Sequence, residues 1–196
     1  MTQTEMTRKT IEAMEDEVEA YCREKGWYDS DVPFQAALAL LHEEAAEAGS
    51  VWRKHGLADV TGHHDLAVLG GTKDVSLAKP EGVGSELADI IIRLLDDSRR
   101  YGLGLPSRVE RYPGVFGLSG DFLTEVNTVH DLVSLASMAW QSGEDGPVTG
   151  YTTQLVRVFC FVQQMAGYYQ VNLLDEYTRK MDYNRARPYR HGDLRA

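Results

Sequence analysis

The chain has 196 residues, 43% of them apolar, which is enough to bury a sizeable core as one domain or a compact pair of half-domains and excludes a disordered tail. Its net charge of -10 and pI near 5.0 exclude a protein that coats nucleic acid through a general positive field. No apolar run reaches the roughly 18 residues of a membrane span, and "MTQTEMTRKTIEAMEDEVEA" lacks the apolar centre of a signal peptide, which points to a cytoplasmic protein without a membrane or nucleic-acid partner.

The first predicted element is an amphipathic helix over residues 4–25, with Ile11, Met14, Val18 and Tyr21 at spacings of three or four and "KGW" as a glycine stop. Asp31 with Pro33 then opens a second helix that runs to about Lys54. Residues 56–80 carry Gly, His and Asp with no sustained period and read as a long loop, with a short hairpin at "AVLGGTKDVSL" and His63 and His64 exposed. A third helix follows from about Ser85 to Tyr101. Residues 106–120, in "GLGLPSRVERYPGVFGLSG", read as a second irregular connector. Helices return over about 121–141, 150–171 and 173–184, and no strand pattern competes, so the predicted fold class is all-α.

Cys22 and Cys160 each fall inside a helical pattern with no second thiol at metal-ligand spacing, and read as reduced core residues. Trp27, Phe34, Trp52 and Trp140 read as core packing. The C-terminal stretch is locally basic, with Arg179, Lys180, Arg185, Arg187, Arg190 and Arg195 against Asp182 and Asp193.

Comparing the chain with itself adds an organisational reading. A shift of 88 residues sets "LHEEAAEAGSVW" on "VHDLVSLASMAW", with His42 on His130, Glu43 on Asp131, Ala48 on Ala136 and Trp52 on Trp140. A shift of 68 sets "ELADIIIRLLDDSRRYGLGL" on "QLVRVFCFVQQMAGYYQVNL", with Leu87 on Leu155, Tyr101 on Tyr169 and Leu105 on Leu173. The twenty residues between the two shifts are the extra length of the loop after Trp52. The chain therefore divides into a first half over residues 1–105, a connector over 106–120 and a second half over 121–196.

Glu44 and Glu47 lie on one face of the second helix, with Glu43 on the neighbouring edge. Glu86 and Asp89 repeat the i, i+3 spacing on the third. Packed antiparallel, the two helices would gather four or five carboxylates that repel one another and lose hydration unless a cation joins them. A hard divalent ion such as Mg²⁺ takes oxygen ligands, and no Cys or His stands at matching spacing for zinc. Each acidic set by itself is also what a solvated helix face looks like. The second half separates the two readings, because the positions of Glu44, Glu47, Glu86 and Asp89 hold Leu132, Leu135, Gln154 and Arg157 there, and leucine is what a core position freed from a metal would carry.

"EEAAE" followed by "ELAD" resembles the E-E-x-x-E … E-x-x-D signature of the MazG-like, all-α nucleoside triphosphate pyrophosphohydrolases, a superfamily that includes dimeric dUTPases and dCTP pyrophosphatases. "KMDYNRARPYRHG" is similar to the K-x-x-x-N … R-P … H-G ending of many members. The resemblance covers about residues 34–97 and 173–192. It implies a helical bundle that binds Mg²⁺, or Mn²⁺ in its place, and cleaves a nucleoside triphosphate between the α and β phosphates to the monophosphate and pyrophosphate. It further implies Glu44, Glu47, Glu86 and Asp89 as metal ligands, Glu43 and Glu44 as catalytic acids with Glu43 orienting water, and Lys180 and Asn184 as phosphate- and sugar-side contacts. Arg157 and Arg185 are added as further cations that could neutralise the phosphates.

Two departures accompany the resemblance. The loop over about 56–80 is longer than in compact members, and the second half has lost its acids. A tandem pseudo-dimer with one working half and a degenerate one is the expectation, with further pairing into a homo-dimer left open. A nucleotide-binding or interaction module of the same fold, a helical adaptor with surface acids and a phosphoribosyl-ATP pyrophosphohydrolase-like enzyme are the competing readings.

Overall fold

The computed structural model describes residues 6–56, 79–112, 114–146 and 149–188. The loop over 57–78, with its expected hairpin and His63 and His64, lies outside the described residues, as do Arg190 and Arg195. Among the described residues there are seven α-helices and no strand: α1 (Arg8–Glu24), α2 (Phe34–His55), α3 (Val83–Tyr101), α4 (Leu105–Arg111), α5 (Phe122–Gln141), α6 (Tyr151–Tyr168) and α7 (Leu173–Ala186). None is long and apolar enough to cross a membrane.

Local chemistry sets the helix ends. Thr7 caps α1, its side chain accepting from Thr10 N at 3.3 Å, and Asp121 caps α5, its Oδ2 accepting from Thr124 N at 3.2 Å. Pro33, which has no N–H to leave unsatisfied, is the last residue before α2. Gly102 closes α3 in the left-handed region at φ 66°, a conformation in which a Cβ would be strained. Gln170 takes a left-handed conformation at φ 61°, and α6 therefore stops at Tyr168 instead of reaching Val171.

The connector after α3 differs from expectation. It contains α4, a single short helix whose Leu105 and Pro106 are buried. Seven residues are too few to display an apolar period, so packing against α1 and α6 forms this helix rather than its own pattern. Pro106 suits the first turn, and Ser98 Oγ accepts from Leu105 N at 3.1 Å.

α3 is the central element. It packs on α1, α2, α6 and α7, and Leu87, Ile90, Ile91, Leu94 and Leu95 are each at most 1% exposed. The heaviest pairings are α2 with α3 and α5 with α6, and α2 crosses to α5. Cys22 and Cys160 are free and buried, as expected. Of the four aromatics expected in the core, Phe34 is buried and Trp27 and Trp52 pack partly buried against it, whereas Trp140 is 39% exposed while resting one face on Phe34.

Across α2 and α5 the contacts come in pairs. His42 meets His130, the residue 88 positions on, with Nδ1 atoms 2.9 Å apart and rings stacked at 16°. Phe34 lies 4.4 Å from Trp140, and Trp52 lies 4.8 Å from Phe122. Phe34 also meets Tyr101 edge-on at 4.9 Å, and Phe122 meets Tyr169 edge-on at 5.2 Å. Gln35 accepts from Ser137 Oγ at 2.9 Å, while at the matching place Gly49 faces Leu123, whose Cδ2 lies 3.7 Å from where a Cβ would stand. In every case the 88-residue shift along α2 and α5, with the 68-residue shift for the tyrosines, carries one contact onto the other.

Candidate functional site

Burial of α3 is what makes its acids unusual. Glu86 stands in its first turn, where the N–H groups of the helix end favour a negative charge, yet its side chain is 3% exposed. Gly84, just before it, lets α7 approach closely, since a Cβ there would lie 3.0 Å from both Val171 Cγ1 and Glu176 Cγ. One turn beyond Glu176 on α7 stands Lys180, 2% exposed, whose ammonium donates to Asp89 Oδ2 and lies 3.9 Å from Glu86 Oε2. From the facing helix α2, Glu44 Oε1 accepts from Arg93 Nε at 3.1 Å.

Glu44, Glu86 and Asp89 each present a carboxylate oxygen within 4.8 Å of the other two, an arrangement that could hold a metal ion. Burial raises the Glu86 carboxyl to about 7 even though Lys180 opposes the shift. Glu44 is raised by burial and then by the charge of Asp89, against the pull of Arg93. Burial works against the Lys180 charge, but Asp89 and Glu86 outweigh it and hold the ammonium above its ordinary value. Glu86 Oε2 has no hydrogen-bond partner. An all-oxygen donor set with a buried unsatisfied oxygen fits a hard divalent cation.

Most of the expected residues meet at one cavity of about 460 Å³, lined by Glu43, Glu44, Glu47, Asp89, Lys180 and Asn184 among others. Glu43 and Glu47 are on its exposed side, and the charge of Glu47 reaches Glu44 and Glu86. Glu86 is not part of that lining. Arg157 and Arg185 stand elsewhere. The first donates to Gln154 Oε1 at 2.8 Å and lies over the Phe116 ring, while the second pairs with Glu17 and Asp182. Helix α6 has carried Arg157 to the half that lacks counterparts of Glu44, Glu47, Glu86 and Asp89, and the last turn of α7 points Arg185 toward α1. Leu132 is buried in place of Glu44, but Leu135, in place of Glu47, is 41% exposed, so of the two leucines only Leu132 occupies a core position.

The cavity also holds residues that the acidic signature does not name: Lys79, Arg93, Asp96, Asp97, Arg100 and Arg187. Four of these continue the Asp89 face of α3 at spacings of three and four, and that period was readable in the sequence. A second, slightly larger cavity, of about 500 Å³, lies between α1, α4 and α6; Glu110 is its lone carboxylate, and it gathers none of the expected residues. No protein-family model, curated protein or solved structure matches this chain.

Proposed function

We propose that the protein is a Mg²⁺-dependent nucleoside triphosphate pyrophosphohydrolase of MazG-like architecture, working in the cytoplasm, with one active half and one degenerate half in a single chain. The observation that carries this reading is the group of three carboxylates, Glu44, Glu86 and Asp89, on two packed helices, of which Glu44 and Asp89 line a cavity that also holds a buried lysine. The paired contacts across α2 and α5 support the tandem pseudo-dimer, because a residue meeting its own counterpart is what a two-fold interface produces.

In this reading Glu44, Glu86 and Asp89 hold the cation, with Glu47 on the exposed side of the same cavity. Bound Mg²⁺ supplies the positive charge that lets an acid-lined cavity accept a polyanionic triphosphate. Glu43, exposed at the cavity wall, takes a proton from the water that adds to the α-phosphorus. As the new P–O bond forms, the bond to the bridging oxygen breaks and pyrophosphate leaves. Lys180 neutralises charge on the phosphates, with Arg93, Lys79 and Arg187 on the same wall and Asn184 on the sugar side.

The test is incubation of the purified protein with each NTP and dNTP, with Mg²⁺, Mn²⁺ or EDTA, and assay of released pyrophosphate. Metal-dependent release from at least one nucleotide is the expected result, and no turnover of any would refute the proposal. One observation favours a second reading, a nucleotide-binding module without hydrolysis: Lys180 already neutralises Asp89. Calorimetry that finds binding without turnover would select it.

A further inference from the structure

The α3 face that supplies Asp89 runs on into the cavity through Asp96, Asp97 and Arg100. Asp97 is eight positions beyond Asp89, about 12 Å along an α-helix, a span comparable with that from the α-phosphorus of a nucleotide to the edge of its base. The carboxyl of Asp97 is 4% exposed, and its Oδ2 has no hydrogen-bond partner. A buried oxygen of this kind is unfavourable unless a donor reaches it.

The neighbouring cations are already engaged. Arg93 is held by Glu44. Arg100 donates to the Trp27 carbonyl at 3.1 Å, lies 3.5 Å from Asp96 Oδ2 and covers the Tyr28 ring. Burial and the charge of Asp96 push Asp97 up to about 8, so near neutral pH it carries an O–H beside its carbonyl oxygen. Apolar Val32, Leu40 and Ile92 and the residue Trp27 line the same cavity, the surroundings that suit a flat heterocycle.

Resting on the pyrophosphohydrolase reading, we propose that Asp97 reads the base, accepting a hydrogen bond from an exocyclic amino group. The substrates are then nucleotides of cytosine, adenine or guanine, and uracil and thymine nucleotides are rejected. A neutral carboxyl matches the amino group and adjacent ring nitrogen of cytosine or adenine. An ionised one matches the two neighbouring N–H groups of guanine. A protonated Asp97 can also serve the N–H and one carbonyl of uracil or thymine, so their rejection falls to Asp96 at the same end. The buried Oδ1 of Asp96 has no hydrogen-bond partner: it accepts the second amino hydrogen of the other bases but would meet the lone pairs of a carbonyl.

The experiment measures binding of CMP, AMP, GMP, UMP and TMP by calorimetry in Mg²⁺, beside kcat/KM for the matching triphosphates. The wild-type protein, Asp97→Leu and Asp97→Asn are compared after their helical circular dichroism has been matched. The wild-type protein should prefer at least one amino-bearing base over UMP and TMP by at least about tenfold. Asp97→Leu should erase that ratio, and Asp97→Asn, which keeps one acceptor and one donor, should restore it for cytosine or adenine. Equal binding of all five by the wild-type protein, or an unchanged ratio in Asp97→Leu, overturns the inference. Selective binding without any turnover would leave Asp97 as the base reader and remove the hydrolase reading instead. Turnover without base preference would do the reverse.

Discussion

Lys180 is the side chain whose removal tests the site most directly. It is 2% exposed, touches Asp89 and lies 3.9 Å from Glu86, and so acts as the standing countercharge of the acidic group. Lys180→Met keeps the straight stem and deletes the charge. Breaking a buried ion pair from one side destabilises by about 3–5 kcal/mol, because the remaining charge is left uncompensated. In a domain of this size each kcal/mol moves Tm by about 2–4 °C, so in EDTA the variant should melt about 6–20 °C below the wild-type protein. A divalent cation that binds only the folded state adds about 2.7 kcal/mol at a hundredfold excess over its Kd, so Mg²⁺ should return most of that loss. Thermal melts followed by circular dichroism in EDTA and in Mg²⁺ give the comparison. A loss of the same size in both conditions, or no loss in EDTA, would refute the reasoning, since the lysine and the cation would then not be alternative partners of one set of acids.

Glu44→Gln and Asp89→Asn should each lower turnover at least about a hundredfold with helical dichroism intact. Glu47→Gln, on the exposed side, should chiefly raise the Mg²⁺ needed, by about 10- to 100-fold; a Mg²⁺ titration of activity separates the two behaviours, and full activity in Glu44→Gln would remove that residue from the ligand set. Burial and the charge of Asp96 push the Asp97 carboxyl up to about 8, above the ordinary aspartate range, so in that window the folded protein binds more protons than the unfolded chain and stability falls as pH rises through it. Asp97→Asn should flatten that slope in urea unfolding at pH 5 and pH 8.5, and an unchanged slope would count against a buried protonated acid. His42 shifts the other way, lowered by burial and by His130, so its contribution is full above the ordinary histidine value and is lost as pH falls; His42→Gln should make melting less sensitive to acid, and a melt as acid-sensitive as before would exclude the pair as its source. Phe34→Ala and Phe122→Ala should each cost about 3–5 kcal/mol, because both rings sit in matching clusters. A small loss at either, read from denaturant unfolding, would show that the two environments are not equivalent.

Where helix periodicity was long and regular, the sequence was sufficient. Ile11, Met14 and Val18 announced the buried face of α1, and Leu87, Ile90, Ile91 and Leu94 that of α3. The match of His42 to His130 was legible as a register, but not the fact that the two rings touch, because self-comparison gives equivalence and not adjacency. α4 escaped because a seven-residue helix is made by its neighbours. Glu44, Glu86 and Asp89 were legible as a cluster through the i, i+3 spacing on two helices. Asp96 and Asp97 share the Asp89 face by the same period, but the burial of Asp97 was not legible, since acids in a helix ordinarily face water and only the central placement of α3 buries it. Arg157 shares with the site only the chemistry of its charge, and the topology of α6 puts it in the other half.

The position of α3 also governs how the site can be lost. A helix packed by α1, α2, α6 and α7, with only its cavity-facing side open, has its ends held by neighbours, so the amides from Glu86 to Asp97 should exchange with solvent only when the whole molecule unfolds. The carboxylates of that helix are then available or absent together, with no partly open state in which Glu86 has moved and Asp89 has not. A destabilising change far away, such as one in the Phe34 and Trp140 contact, would therefore reduce the number of competent molecules and leave each surviving molecule's affinity for its cation unaltered.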